Sequence, residues 1–237
     1  MKIVAHRGYA GKYPELTRRA FVEALELPIA GIECDVRLTR DGKLVVFHDK
    51  TVDRTSNGSG LVATMDFADL QQLNVGTEDE PQQVMQFSEL LELMQDYPDK
   101  ELFVETKHPS RFGPEVEEQT AVHLRYAAMH EDPRVSLISF SHLAIRRFGR
   151  LLPELRTYFL VNPKHRRWNP QHRFASKPFG VGPSLMEAKI DQDLIGFKGL
   201  PTYLWTVDEA DDMVWCRDNG VDVMATNLPE RALETLR

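Results

Sequence analysis

Short runs of β-branched and aliphatic residues alternate along the chain with longer stretches whose apolar positions recur every three or four residues. The runs at Ile3–Ala5, Gly31–Val36, Leu102–Thr106, Val135–Phe140, Thr157–Val161, Phe179–Gly182, Thr202–Val207 and Val221–Ala225 predict eight strands. Their nearly continuous apolar character suits a parallel sheet covered on both faces, where polar alternation is not required. Between them, Leu16, Ala20, Phe21, Ala24 and Leu25 share one helical stripe opened by Pro14. Pro114 opens a second helix carrying Val116, Ala121, Leu124 and Ala128, and Asp208 stands where a further helix would be capped, with Gly220 at its end. Strand–helix–strand units of this length imply right-handed crossovers. At 237 residues the chain is close to the roughly 250 typical of a TIM (β/α)8 barrel, and that α/β fold is the expectation.

One strand breaks the rhythm. Lys43–His48 follows Gly31–Val36 too closely for a parallel crossover, and Asp41-Gly42 between them is a hairpin signal. Folding that ribbon about Arg40–Asp41 brings His48 toward Glu33 and Asp35. From about 49 to 87 the alternation lapses, and this stretch reads as a small subdomain inserted after the second strand and its hairpin. The chain is otherwise a single domain, 1–237.

Composition narrows the function classes. Cys34 and Cys216 are the only cysteines, too few for a disulfide framework or a thiolate zinc site. A net charge of −7 argues against nucleic acid as a partner. No apolar run is long enough to span a membrane, and the first residues read as a strand rather than a secretory leader. A reduced, cytoplasmic setting is expected. The basic segment 164–177, with Arg166, Arg167, Arg173 and Trp168, reads first as a solvated charge run. Its alternative is peripheral contact with an anionic bilayer.

The chemistry lies at strand ends. No dinucleotide fingerprint, phosphate-binding Gly-Lys-Ser/Thr loop, Gly-x-Ser-x-Gly elbow or His-Glu-x-x-His is present. Instead His6 and Arg7 end the first strand, and Glu33 and Asp35 lie two apart in the second. His48 ends the hairpin, Glu105 and Lys107 lie two apart at the end of another strand, and Trp205 ends a later one. Residues two apart share a face, and carboxyl ends of barrel strands form one rim. Glu33, Asp35 and Glu105 on one rim would repel one another unless a cation held them, and oxygen ligands point to Mg²⁺ or Ca²⁺, with Mn²⁺ served by the same donors. Arg7 and Lys107 add fixed positive charge suited to a phosphate, while His6 and His48 suit acid–base work. Trp205 either fills core or touches substrate. Glu15 either opens a helix or supports the site. Cys34 points to the other face.

These residues carry a resemblance. His6-Arg7-Gly8, Glu33-Cys34-Asp35, His48-Asp49, Asp53-Arg54-Thr55, Glu105-Thr106-Lys107, Trp205-Thr206-Val207 and Thr226-Asn227-Leu228-Pro229 together resemble the glycerophosphodiester phosphodiesterase family, in its order and spacing. The resemblance implies a barrel of the phospholipase-C-like phosphodiesterase type that cleaves glycerophosphodiesters, its small-molecule substrates, to an alcohol and sn-glycerol 3-phosphate. By that likeness Glu33, Asp35 and Glu105 are metal ligands, His6 and His48 the acid–base pair, and Arg7 and Lys107 phosphate contacts. Other readings are a lysophospholipase D and a non-catalytic phosphate-binding barrel. The chain departs from the pattern at Leu16, where Asn is usual, at Asp208 and Asn227, where Asn and Asp are common, and at Val84-Met85-Gln86.

Overall fold

The structure is a computed structural model, and it describes residues 1–161 and 176–237. Its strands are β1 (Lys2–Ala5), β2 (Gly31–Leu38), β3 (Leu44–Val46), β4 (Glu101–Thr106), β5 (Val135–Ser139), β6 (Arg156–Leu160), β7 (Gly180–Gly182), β8 (Tyr203–Leu204) and β9 (Val223–Thr226). Hydrogen bonding runs in the order β7-β6-β5-β4-β2-β1-β9-β8. Parallel bridges Val181–Thr202 and Ser184–Trp205 bring β7 and β8 together. The result is the expected (β/α)8 barrel, and β3 lies outside it as an antiparallel partner of β2, pairing Val36 with Val46 and Leu38 with Leu44.

Strand alternation sorts the side chains. On β2, Ile32, Cys34 and Val36 face outward into the layer beneath the helices, with Leu102 and Val104 of β4 beside them. The inward set of Val4, Phe103, Ile138, Tyr158, Leu160, Tyr203, Val223 and Ala225 fills the barrel. Phe103 is 1% exposed, and burying a side chain of that size stabilises the fold by about 1.5–3 kcal/mol. By the same alternation Glu33, Asp35 and Glu105 face inward, above this apolar plug. Gly180 is required by close packing, because a Cβ there would sit 2.3 Å from the Tyr158 ring.

The helices are α1 (Arg18–Leu25), α2 (Phe67–Leu70), α3 (Phe87–Gln95), α4 (Glu115–Tyr126), α5 (His142–Leu151), α6 (Leu185–Ile190), α7 (Ala210–Asp218) and α8 (Pro229–Thr235). Three expected starts shift. Pro14 does not open α1: Thr17 caps it, accepting from Ala20 N, and the Thr17 hydroxyl donates to Pro14 O. Pro114 is the residue before α4 rather than its first. Glu209, not Asp208, precedes α7, because the Asp208 carboxylate is engaged elsewhere. Glu117 of α4 is buried and bonded to both His108 and Arg147, which ties the β4–α4 loop to α4 and α5.

Between β3 and α3 the chain builds a small apolar cluster, with Val52, Val62, Phe67, Leu70, Val75 and Val84 packed against Val45 and Phe47 of the hairpin. Among the described residues no helix is long and apolar enough to cross a membrane. Residues 164–175 of the basic segment, including Trp168, lie outside the described residues.

Candidate active site

The rim is assembled from the turn after β1. His6 N donates to Thr226 O, continuing the pairing with β9. Arg7 then takes φ 57° and Gly8 φ 73°, the left-handed region that Arg enters only under constraint. The constraint is visible: Arg7 N donates to Glu33 Oε2 at 3.0 Å, and Arg7 O accepts from Leu16 N. A Cβ on Gly8 would lie 2.8 Å from the Ala20 backbone, so the turn packs directly on α1. One turn thus sends the His6 imidazole and the Arg7 guanidinium to the rim together.

Opposite them, Glu33, Asp35 and Glu105 converge, with carboxylate oxygens all within 4.8 Å of one another. Their exposures are 1%, 1% and 7%. Lys107 Nζ lies 3.0 Å from Asp35 Oδ1 and 2.7 Å from Glu105 Oε1, and Arg7 Nε is 3.3 Å from Asp35 Oδ2. Despite these approaches Asp35 Oδ2, Glu105 Oε1 and Arg7 Nε are buried without a hydrogen bond. Two buried carboxylate oxygens without a hydrogen bond are costly, and three carboxylates around one point suit a divalent cation with oxygen ligands.

The proton affinities agree. Burial works against charge on Asp35, yet Lys107 and Arg7 hold its carboxyl well below the usual range. Burial, reinforced by the charges of Asp35 and Glu105, raises Glu33 far above it. Burial also pushes Glu105 up to about 7 against the pull of Lys107. Two cations therefore support one full negative charge comfortably, and the three carboxyls must share them, Lys107 standing between Asp35 and Glu105.

The histidines sit on either side. His6 Nδ1 is 2.9 Å from Asn227 Oδ1, and its Nε2 is 3.9 Å from Glu33 Oε2. Burial, then the Arg7 charge, lowers its pKa to about 4. His48 Nδ1 meets Asp49 Oδ1 at 2.6 Å, and burial lowers its pKa while the Asp35 charge opposes. Asp49 accepts from Arg54 Nε at 2.6 Å, and Arg54 reaches Glu15 at 2.7 and 2.9 Å. Glu15 in turn accepts from Arg7 at 3.0 Å. A continuous chain of charge-assisted bonds thus links His48 to Arg7, and Glu15 supports the rim rather than opening α1. Trp205 stands at the mouth, its Nε1 donating to Gly182 O at 2.9 Å and its ring edge-on to Phe140.

Every residue picked from the sequence is on this rim. Asp208, at the end of the same predicted strand as Trp205, is there too, and Asp49, Arg54, Arg37 and Asn227 are members that strand-end reasoning passed over. Arg37 was signalled by its phase, two beyond Asp35 on the same face of β2. Asp49 was signalled only by standing next to His48.

The description "Glycerophosphoryl diester phosphodiesterase family" belongs to a family model matching residues 6–231. A protein of Mycobacterium tuberculosis named "Probable glycerophosphodiester phosphodiesterase 1" is 38% identical over 97% of this chain and 90% of its own. A glycerophosphodiester phosphodiesterase of Caldanaerobacter subterraneus is 33% identical over 99% and 97%. Among solved structures, a phosphodiesterase of Oleispira antarctica superposes with a TM-score of 0.88 at 24% identity, covering 100% of this chain and 96% of that one. A glycerophosphodiester phosphodiesterase of Agrobacterium tumefaciens gives 0.81 at 24% identity over 99% of each. At that identity the superpositions establish the barrel fold, while the family model and the sequence relatives go further: the chain belongs to the glycerophosphoryl diester phosphodiesterase family.

Proposed function

We propose that the protein hydrolyses glycerophosphodiesters to an alcohol and sn-glycerol 3-phosphate, using Arg7 and Lys107 to hold the phosphate and His6 and His48 to move protons. The observation that carries this reading is the convergence on one rim of three carboxylates, two cations and two imidazoles, in a chain of this family. The Oleispira antarctica relative by fold is described in complex with the product sn-glycerol-3-phosphate.

Glu33, Asp35 and Glu105 would hold a divalent cation, Mg²⁺ or Ca²⁺ by the chemistry of their oxygens. Such an ion supplies charge stabilisation at a phosphoryl oxygen. Arg7 and Lys107 bind the remaining oxygens, pre-set by their bonds to Glu15, Asp35 and Glu105.

The histidine partners support one division of roles. Asn227 offers His6 an uncharged amide oxygen, so Nδ1 carries the proton and Nε2 keeps a lone pair, which suits a base toward the attacking oxygen. Asp49 offers His48 a carboxylate, which works toward the charged ring against the burial that lowers its pKa and suits an acid. As the bond from phosphorus to the headgroup oxygen breaks, His48 gives that oxygen its proton. Trp205, at the mouth, borders the space for the glycerol moiety. Residues 49–87, with their apolar cluster, act as an insertion that carries Asp49 and Arg54 within the single domain 1–237.

Phosphorus NMR of glycerophosphocholine incubated with the enzyme tests this reading. Conversion of the diester resonance to that of sn-glycerol 3-phosphate is expected, and its absence across a panel of such diesters would end it.

A further inference from the structure

Beside the rim, between the β4–α4 loop and residues 61–64, lies a cavity of about 180 Å³ whose charged lining is entirely basic. Arg37, Lys50, Lys107 and Arg111 border it, over apolar Val62 and Phe112, and no acidic residue lines it. In a chain with net charge −7 that is a local inversion of sign. Lys107 is spoken for by Asp35 and Glu105. Among the described residues Lys50 and Arg111 have no ion pair. Arg37 makes one hydrogen bond, Nε to His48 O at 2.9 Å, which leaves its outer nitrogens without a protein partner.

The carboxylates nearest Arg37 are committed elsewhere. Asp35 faces Lys107 and Arg7, and Asp49 faces Arg54 and His48. A half-buried guanidinium with free donors and two neighbouring cations is a ready partner for an anion.

The position says which anion. Arg37 is bonded to the backbone of His48, the residue assigned to the departing alcohol, so the cavity opens on the headgroup side of the phosphodiester. We propose that it receives a second anionic group on the headgroup, making diesters whose leaving alcohol carries a further phosphate favoured substrates. This inference rests on the hydrolase reading above.

The test compares glycerophosphoinositol with glycerophosphoinositol 4-phosphate, which differ by one phosphate, on wild type and on Lys50→Gln/Arg111→Gln. Both changes lie at exposed positions and leave the catalytic residues untouched. For the phosphorylated substrate the variant is expected to lose about tenfold in kcat/KM, through KM, with less than about twofold for the other. Equal losses on both, or none, would overturn the proposal. If inorganic phosphate inhibits wild type, and the variant escapes inhibition with its substrate preference unmoved, the cavity holds free phosphate and the headgroup assignment falls. Should wild type cleave neither diester, the hydrolase reading fails separately, and calorimetric titration with glycerophosphoinositol 4-phosphate still decides. Weakened binding to the variant supports the cavity, and unchanged binding rejects it.

Discussion

Asn227 presents its amide oxygen to His6 Nδ1 at 2.9 Å because its amide nitrogen is committed to Asp208 Oδ2 at 2.8 Å. Asp208 also accepts from Asn227 N at 2.8 Å and Thr226 Oγ1 at 3.1 Å. A carboxylate can only accept, so the amide cannot turn over without losing its bond. The orientation of Asn227 fixes the proton on His6 Nδ1.

Asp208→Ala removes that anchor. We expect kcat to fall about tenfold or more with KM little changed, since a bond to a charged group is worth about 1.5–3 kcal/mol. Asp208→Asn puts a donor where one of the two accepting oxygens stood, lets the Asn227 amide turn over, and should recover little of the loss. Nitrogen NMR of the His6 ring checks the cause, with the Nδ1-protonated tautomer expected in wild type and a mixed one in both variants.

The carboxyl trio makes stability depend on pH in a definite direction. Glu105 is raised from 4.5 to about 7 in the folded chain, so between those values the native state binds more protons than the unfolded one. Stability from this group is present below pH 4.5 and declines as pH rises through 7. Glu33 shifts the same way. Asp35 shifts oppositely, and its contribution is lost only in acid. A cation binds the ionised forms, so the rise in Tm on adding Mg²⁺ or Ca²⁺ to chelated protein should grow from pH 5.5 to about 8. Thermal melts with and without chelator check this, and a Tm gain that shrinks with rising pH would contradict the carboxyl assignment.

Arg54 ties Asp49 to Glu15 from the inserted segment. Arg54→Met should lower kcat about tenfold by releasing both carboxylates. Its melting temperature should move little, because the side chain is 49% exposed. Steady-state kinetics beside a thermal melt separates the two effects.

Phe103 packs against Tyr203, with ring centroids 5.2 Å apart, and against Tyr158 inside the barrel. Phe103→Ala should cost about 3–5 kcal/mol by leaving a cavity directly beneath the carboxylates. Denaturant unfolding measures it.

How much of this could be read from the sequence follows from periodicity. The two-residue phase of strands placed Glu33 and Asp35, and likewise Glu105 and Lys107, on one face, and parallel topology brought those faces to one rim. The hairpin at Asp41-Gly42 delivered His48, and the phase that excluded Cys34 holds, since it packs outward. What stayed hidden depends on turns. The left-handed pair Arg7-Gly8 directs Arg7 to Glu15, and no periodicity encodes that bend. Asp208 looked like a helix cap because cap preference is local, whereas its actual partners, Thr226 and Asn227, arrive from the neighbouring strand. Pro14 misled for a similar reason: Thr17 was the better cap.

The central claim, a cation held by Glu33, Asp35 and Glu105 serving diester cleavage, is tested most directly by one titration. Chelated enzyme is given increasing Mg²⁺ or Ca²⁺ while sn-glycerol 3-phosphate release from glycerophosphocholine is followed, in wild type and Asp35→Asn. The account predicts no release without cation, saturable recovery at one ion per chain in wild type, and no recovery in the variant. Undiminished release after chelation, or full activity of Asp35→Asn, would contradict it.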